Sequence, residues 1–556
     1  MASQHIESSA DAELPLPNAQ ELVSEVLPGT EIMTDIEGVH FVHGRDSNHV
    51  VLVPQPSMSP HDPLNWNNKW KYGVLINQGL FVIFSVITNL SIAPLTPIYM
   101  AEWNKNQQQI SLLTGATIIT LGYANFIIVP ACDVFGRRPV ILMCGLIVLA
   151  ANVWLALAGS YNSFLGARLV SGIGAAANES IMLVVVADVF FLHERGRFVG
   201  FYFWCYFVGL FIGPIISGQI ASRVSWRWFF WVCTVAQGLN TLALLLSFPE
   251  TRRTKDQFPP VQTVTANVPI REVGVGNDKT EVEVCVESAN SKPESSEEPA
   301  APTGQGTPSR AQFNILQPPQ MDAVKMIFRH IVTPIQLFFF PIVCWAAWAT
   351  GSAANALLAV NLTQSQVLSA PPYNFSPAQV GFANFALVAG GVLGLVAAGP
   401  LSDWVAMRST KKNKGIREAE MRLSALYPFI AAALVGMVIV GVGYQQRWAW
   451  KVIIMLGFTL VGVQVVAIPA ISVAYAVDCY KPVAGQIMVI VTVTKNTFGF
   501  GMTYFMNDWA IKDGFIPPIF LLMAMTVGFT LIGTALLPFF GKQFRVWTRN
   551  AVVHTF

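Results

Sequence analysis

Charge is scarce in this 556-residue chain. Asp, Glu, Lys and Arg make up 12% of it, about half the roughly 25% of an average soluble domain, too little to coat an ordinary water-soluble enzyme. The signs nearly cancel, 34 basic against 32 acidic residues for a formal +2, which excludes a surface built as a whole to bind nucleic acid. Cysteine is sparse as well. Seven residues with no C-x-x-C pair provide neither a disulfide framework nor a zinc-site spacing. No G-x-x-x-x-G-K-[ST] loop occurs, so ATP-driven pumping lacks its phosphate cradle. No nucleophile and base pair for enzymatic turnover stands out, and neither a cofactor nor a metal is expected. All eight histidines fall outside the apolar runs described next, so any proton chemistry within those runs falls to carboxyl groups.

What the chain has is apolar length, 53% of its residues. A helix needs about 20 mostly apolar residues to cross a hydrocarbon core of roughly 30 Å, and backbone groups in lipid must pair within the chain, which makes such runs helices. Twelve runs qualify: 73–95, 110–130, 138–158, 164–187, 197–220 and 229–248, then 335–359, 378–399, 423–443, 451–475, 483–506 and 516–540. The expected fold is an all-α membrane protein with twelve transmembrane helices in two six-helix bundles, over 73–250 and 331–541. Residues 1–72 lack the basic start and apolar stretch of a signal peptide and read as a cytosolic tail, as do residues 542–556. Between the bundles, 251–330 includes VESANSKPESSEEPAAPTGQGTPSR, too poor in apolar groups to offset chain entropy. It reads as a disordered cytosolic loop and a candidate for phosphorylation, with a short amphipathic helix near Met321–His330.

Orientation follows the Lys and Arg of short loops. Arg137, Arg138, Arg195, Arg197, Arg408, Lys411, Lys412, Lys414 and Arg417 fall on one side, with Lys542, Arg545 and Arg549 of the tail. The loop 360–377 on the other side has none. Both termini are therefore expected in the cytosol. That bare loop holds Asn361-Leu-Thr363 and Asn374-Phe-Ser376, acceptor patterns for N-glycosylation. Pro377 weakens the second, and Asn89-Leu-Ser91 and Asn178-Glu-Ser180 match equally well inside apolar runs.

The two bundles echo one another. Asp133-Val-Phe-Gly136-Arg137-Arg138-Pro139 follows the second run and Gly399-Pro-Leu-Ser-Asp403 follows the eighth, as in a transporter whose related halves rock about a central site. Taken with Arg168-Leu-Val-Ser-Gly172 on the fourth run and Gly200, Gly209, Gly213-Pro214 and Gly218 on the fifth, the chain resembles the major facilitator superfamily, specifically its twelve-span drug:proton antiporters of fungi. Val129 and Ala131 replace two positions of the loop signature, Ser217 replaces a usual glycine, and the second copy loses Gly-Arg-Arg. His61-Asp-Pro-Leu-Asn-Trp66 and Phe190-Phe-Leu-His-Glu-Arg-Gly196 resemble a fungal branch that includes transporters of polyamines and other organic cations. The resemblance implies a gate formed by Asp133, Gly136, Arg137, Arg138 and Asp403, and flexing at Gly213 and Pro214. Topological marking by the arginines and plain helix packing by the glycines are the alternatives.

The fourth run is the most informative. Arg168 and Glu179 are eleven residues apart, about 16.5 Å and three turns along a helix, so both are expected on one interior seam. An intramembrane charge is costly enough to make function the default reading, and burial favours the neutral form of a carboxyl group. Glu179 is thus the leading proton or cation carrier, Arg168 its electrostatic modulator, and Asp188 a further proton-coupling candidate; a static polar link between helices is the alternative. Asp478 occupies a position like that of Asp188. Lys495 either binds an anion, counters a carboxylate or snorkels to the interface. Asn89, Asn125, Asn178, Glu179, Tyr206, Trp348, Asn355, Asn384, Gln464, Lys495 and Asn496 are the substrate-site candidates, the aromatic faces suited to flat or cationic solutes. Trp226 and Trp228 read as interfacial anchors.

The function expected is secondary active export of small organic compounds by alternating access, driven by protons, from a monomer in the plasma membrane. Uptake of polyamines or other organic cations is the competing transport reading, and a transporter-like sensor a third.

Overall fold

Short polar residues end the apolar runs. Asn67 and Ser160 accept hydrogen bonds from the amides of Lys69 and Ser163, and Asn106 with Gln109 and Ser376 with Gln379 form reciprocal capping boxes. In this computed structural model, residues 30–32, 56–57, 59–253, 304–315, 323–413, 416–480 and 483–548 are described. Between the caps run α1 (Asn68–Trp103), α2 (Gln107–Phe135), α3 (Arg137–Leu157), α4 (Tyr161–Val189), α5 (Leu192–Arg223) and α6 (Trp226–Ser247). The second set is α7 (Pro341–Leu368), α8 (Pro377–Lys412), α9 (Ala419–Gln446), α10 (Val452–Cys479), α11 (Ala484–Asp513) and α12 (Ile516–Trp547).

Among the described residues, eleven helices are long and apolar enough to cross a membrane. The exception is α11. Its 30 residues extend about 45 Å, but Lys495, Asn496 and Asn507 dilute its apolar character. Those residues find partners on the other half: Asn507 Nδ2 donates to Ser111 Oγ of α2 at 2.6 Å, and Lys495 and Asn496 reach Glu179 of α4.

The seams between the halves run along α2 with α11 and α5 with α8. At the second seam the backbones approach so closely that a Cβ on Gly218 would lie 2.5 Å from Pro377 O, and one on Gly381 2.8 Å from Pro214 O. Helix α5 passes through Pro214 without a break. A Cβ on Gly209 would come within 2.9 Å of Val86, and one on Gly213 would land on Ser91 Oγ, so in this conformation those two glycines pack α5 against α1.

Several segments depart from expectation. Residues 304–315, placed in the disordered loop 251–330 on composition, fold back beneath the start of α1. Asn65 O accepts from Gly304 and Gly306 N–H at 3.0 and 2.9 Å, and Asn67 N–H donates to Gly306 O at 2.8 Å. Backbone pairing supplies what the segment's few apolar groups cannot. The His61–Trp66 turn that receives it is built on Asp62, which accepts from Ser57 and Leu64 N–H and pairs with Arg253 at 2.9 Å. Residues 254–303 lie outside the described set. The helix expected near Met321–His330 runs Ala323–Phe338, and α12 carries Lys542 and Arg545 within a helix rather than a tail. A small ribbon pairs Thr30–Ile32 with Ile416–Glu418, between α8 and α9.

Two corrections concern the end of the bundles opposite Asp133. Helix α7 continues to Leu368, so Asn361 is not in a loop, and Thr363 of its acceptor triplet is buried; a glycosylation site needs an accessible loop, whereas Asn374 lies in one and is exposed. Trp226 is 3% exposed and packs against Tyr99, Trp103 and Phe164, with its indole N–H given to Glu102 at 2.5 Å. It is core, whereas Trp228 is 56% exposed.

Candidate functional site

A cavity of about 1280 Å³, mouth included, lies between the halves. Its wall comes from α1, α2, α4 and α5 on one side and α7, α10 and α11 on the other. From α5 come Tyr202, Phe203, Tyr206 and Phe207, whose spacing of four residues places them on one stripe of the helix. The polar wall includes Ser111, Thr350, Asn355, Asn361 and Thr492.

Glu179 and Lys495 are the charged residues of this wall, and they meet. Lys495 Nζ lies 2.5 Å from Glu179 Oε1, Asn496 Nδ2 donates to Oε2 at 3.3 Å, and Tyr206 OH donates to Oε1 at 3.4 Å. The Lys495 ammonium also lies 5.4 Å from the centre of the Tyr206 ring, within cation–π reach. The ion pair joins α4 of one half to α11 of the other. Of the three roles open to Lys495, the geometry matches that of countering a carboxylate.

Arg168 takes no part in this cluster. Within α4 the turn at Ala176 tightens, with Glu179 N–H bonding back to Ala176 O over three residues. Fully buried, Arg168 gives its hydrogen bonds to the carbonyls of Leu113, Thr88 and Asn89 at 3.1, 3.1 and 2.5 Å, a stitch between α1, α2 and α4.

Of the other candidates, Tyr206, Asn355 and Asn496 line the cavity. Asn89, Asn125 and Asn384 do not: each turns its amide back to a carbonyl of its own helix, Ser85 O, Leu121 O and Val380 O at 2.8, 2.8 and 3.3 Å. Asn178 donates to Ser85 Oγ and Gln464 to Ala353 O, also away from the lining. In a medium without water an amide bonds to the nearest backbone acceptor, so polarity alone does not mark a cavity residue. Trp348 faces a separate apolar groove with Phe338, Phe339 and Phe498, stacked on Phe529 at 5.6 Å. Tyr202, Phe203, Phe207, Asn361 and Thr492 were missed; the aromatic spacing on α5 was the available signal.

The charged residues expected to form a gate make ion pairs in each half. Arg137 bonds Asp133 of α2 and Asp188 of α4, each at 3.0 Å. Asp188 thus belongs with this ion-pair network, outside the cavity lining. Glu250, absent from the sequence candidates, completes the network. Its carboxylate accepts from Arg137 N–H at 2.9 Å, Arg138 N–H at 3.0 Å and Arg252 N–H at 2.9 Å, capping the unpaired amides at the start of α3. Gly136, at φ 99°, makes the room, since a Cβ there would land on that carboxylate. Arg138 closes the far end of α6 by donating to Leu245 O at 2.7 Å and to Phe248 O.

The other half repeats the pattern with different residues. Arg422 lies between Asp403 and Asp478 at 3.4 and 3.5 Å, as Arg137 lies between Asp133 and Asp188. Arg545 of α12 grips Glu420 of α9 through two hydrogen bonds, at 3.0 and 2.8 Å. The arginine lost from the loop signature reappears 19 residues after Asp403, at the start of the next helix, too far along the chain to read as a motif.

Comparison with known proteins agrees with this architecture. The sequence profile described as Major Facilitator Superfamily matches residues 79–503. Protein HOL1 of Saccharomyces cerevisiae is 26% identical over 91% of this chain and 92% of its own length. An uncharacterized MFS-type transporter of Schizosaccharomyces pombe is 28% identical over 87% of each. A probable efflux pump, mfs2 of Aspergillus flavus, is 23% identical over 82% of this chain and 98% of its own. In fold, the crystal structure of the human organic anion transporter MFSD10 (TETRAN) superposes with a TM-score of 0.50 at 14% identity, over 84% of this chain and 99% of that one. The chain belongs to the Major Facilitator Superfamily and is a multi-pass membrane transporter, not an enzyme.

Proposed function

We propose that this transporter exports small organic compounds in exchange for protons, with Glu179 holding proton and substrate by turns. The observation that carries the proposal is the Glu179–Lys495 ion pair, made by the charged residues of the cavity wall and spanning the two halves. A group that ionises between two moving bodies favours different arrangements in its two protonation states. Substrate enters from the cytosolic side, where the gate networks and both termini lie, in a plasma-membrane monomer whose loop residue Asn374 is the candidate glycan acceptor.

A second reading, uptake of an organic cation such as a polyamine, is favoured by the Lys495 ammonium resting between the Glu179 carboxylate and the Tyr206 ring, a setting suited to a substrate amine. Purified protein in sealed vesicles separates the two, with ethidium and spermidine as probes. An acid interior drives probe accumulation if the carrier is an antiporter, and an acid exterior drives it if protons and substrate travel together. Accumulation under neither gradient rejects proton coupling.

A further inference from the structure

The Lys495 ammonium bonds the Glu179 carboxylate beside the Tyr206 ring. Glu179 in turn is 3% exposed, and the titratable groups facing it are Lys495 from α11 and Tyr202 and Tyr206 from α5. An uncompensated carboxylate so enclosed is strongly unfavourable. In the uptake reading, a carrier that has released both proton and substrate returns empty through the closed arrangement in which the halves meet around that group. We propose that Lys495 is an internal cation that occupies Glu179 during this return, in place of proton or substrate, so that the empty carrier changes state. The inference rests on the second reading, uptake with Glu179 as the carrier group, and it adds a kinetic role. With Lys495 the protein performs net transport; without it the protein is confined to exchanging one bound cation for another.

The geometry suits a replaceable partner. The ammonium hangs from a flexible four-carbon stem, its side chain is 17% exposed against 3% for Glu179, and it lies on the cavity wall, where an incoming cation meets it. The carboxylate keeps two neutral donors, Asn496 and Tyr206, that remain when the ammonium withdraws.

The test needs no substrate. Spin labels at Val224, after α5, and Ile511, near the end of α11, are exposed and lie at the end of each half opposite the gates, so their separation reports the state. Substrate-free wild type is expected to show two distances at both pH 8 and pH 5.5. Lys495→Met is expected to show one distance at pH 8, with the second at least tenfold depleted. The double variant Glu179→Gln, Lys495→Met removes both charges and is expected to show two distances at either pH, which also establishes that the methionine folds. Two distances in Lys495→Met at pH 8 would overturn the inference, as would one distance in the double variant. Neither result depends on the vesicle gradients, whose failure would reject proton coupling by Glu179 itself.

Discussion

Arg137 and Arg422 occupy corresponding places in the two halves, each set between two aspartates from neighbouring helices, yet they differ in exposure. The acids around Arg137 are 24% and 16% exposed, those around Arg422 65% and 34%. Breaking an enclosed pair leaves a charge stranded and costs about 3–5 kcal/mol, whereas an exposed pair is worth about 0–1 kcal/mol. Arg137→Ala is therefore expected to lower the thermal midpoint in detergent markedly, and Arg422→Ala to shift it little. Equal shifts would mean that the two networks do not differ in the way their exposure implies.

Glu250 caps three amides at once, and Gly136 leaves the space for it. Gly136→Ala forces a side chain into a backbone region populated almost only by glycine, at about 1–3 kcal/mol, and also pushes on the carboxylate. Glu250→Gln keeps shape but weakens charge-assisted bonds. Thermal unfolding should rank Gly136→Ala as the more destabilising of the two; the reverse order would show that charge, not space, governs this joint.

For Arg168, a stitch between carbonyls and a modulator of Glu179 make different predictions. Arg168→Lys cannot serve all three acceptors, and a buried acceptor left unpaired costs about 1–3 kcal/mol. Lower stability is expected, with the pH dependence of transport in the surviving protein unchanged. A displaced pH profile at unchanged stability would restore an electrostatic role.

Tyr206 touches both members of the ion pair. Tyr206→Phe removes a long hydrogen bond, worth about 0.5–1.5 kcal/mol, and should change half-saturation for ethidium by roughly two- to tenfold. Tyr206→Ala also removes the ring beneath the cation and should weaken binding further. Identical values for the two variants would exclude a part for the ring.

The architecture was legible because bilayer thickness imposes a length on every span. Glu179 was legible for a related reason, a charge where lipid tolerates few. Side-chain destinations were not. Asn89, Asn125, Asn384 and Asn355 all give their amides to carbonyls of their own helices, yet only Asn355 lines the cavity, which polarity does not announce. Arg168 is interior, but its acceptors are backbone carbonyls of α1 and α2, which no side-chain pattern announces. Lys495 and Glu179 are 316 residues apart in sequence, and nothing local couples them. Glu250 and Arg422 escaped notice because each completes a network whose other members lie on different helices.

The most direct test follows internal pH with a trapped dye while ethidium moves down its own gradient in vesicles containing the wild type or Glu179→Gln. The expected result is substrate-driven proton movement in the opposite direction through the wild type and none through Glu179→Gln, with ethidium binding to the purified variant still measurable. Proton movement of wild-type size through Glu179→Gln would contradict the assignment of this carboxylate as the carrier.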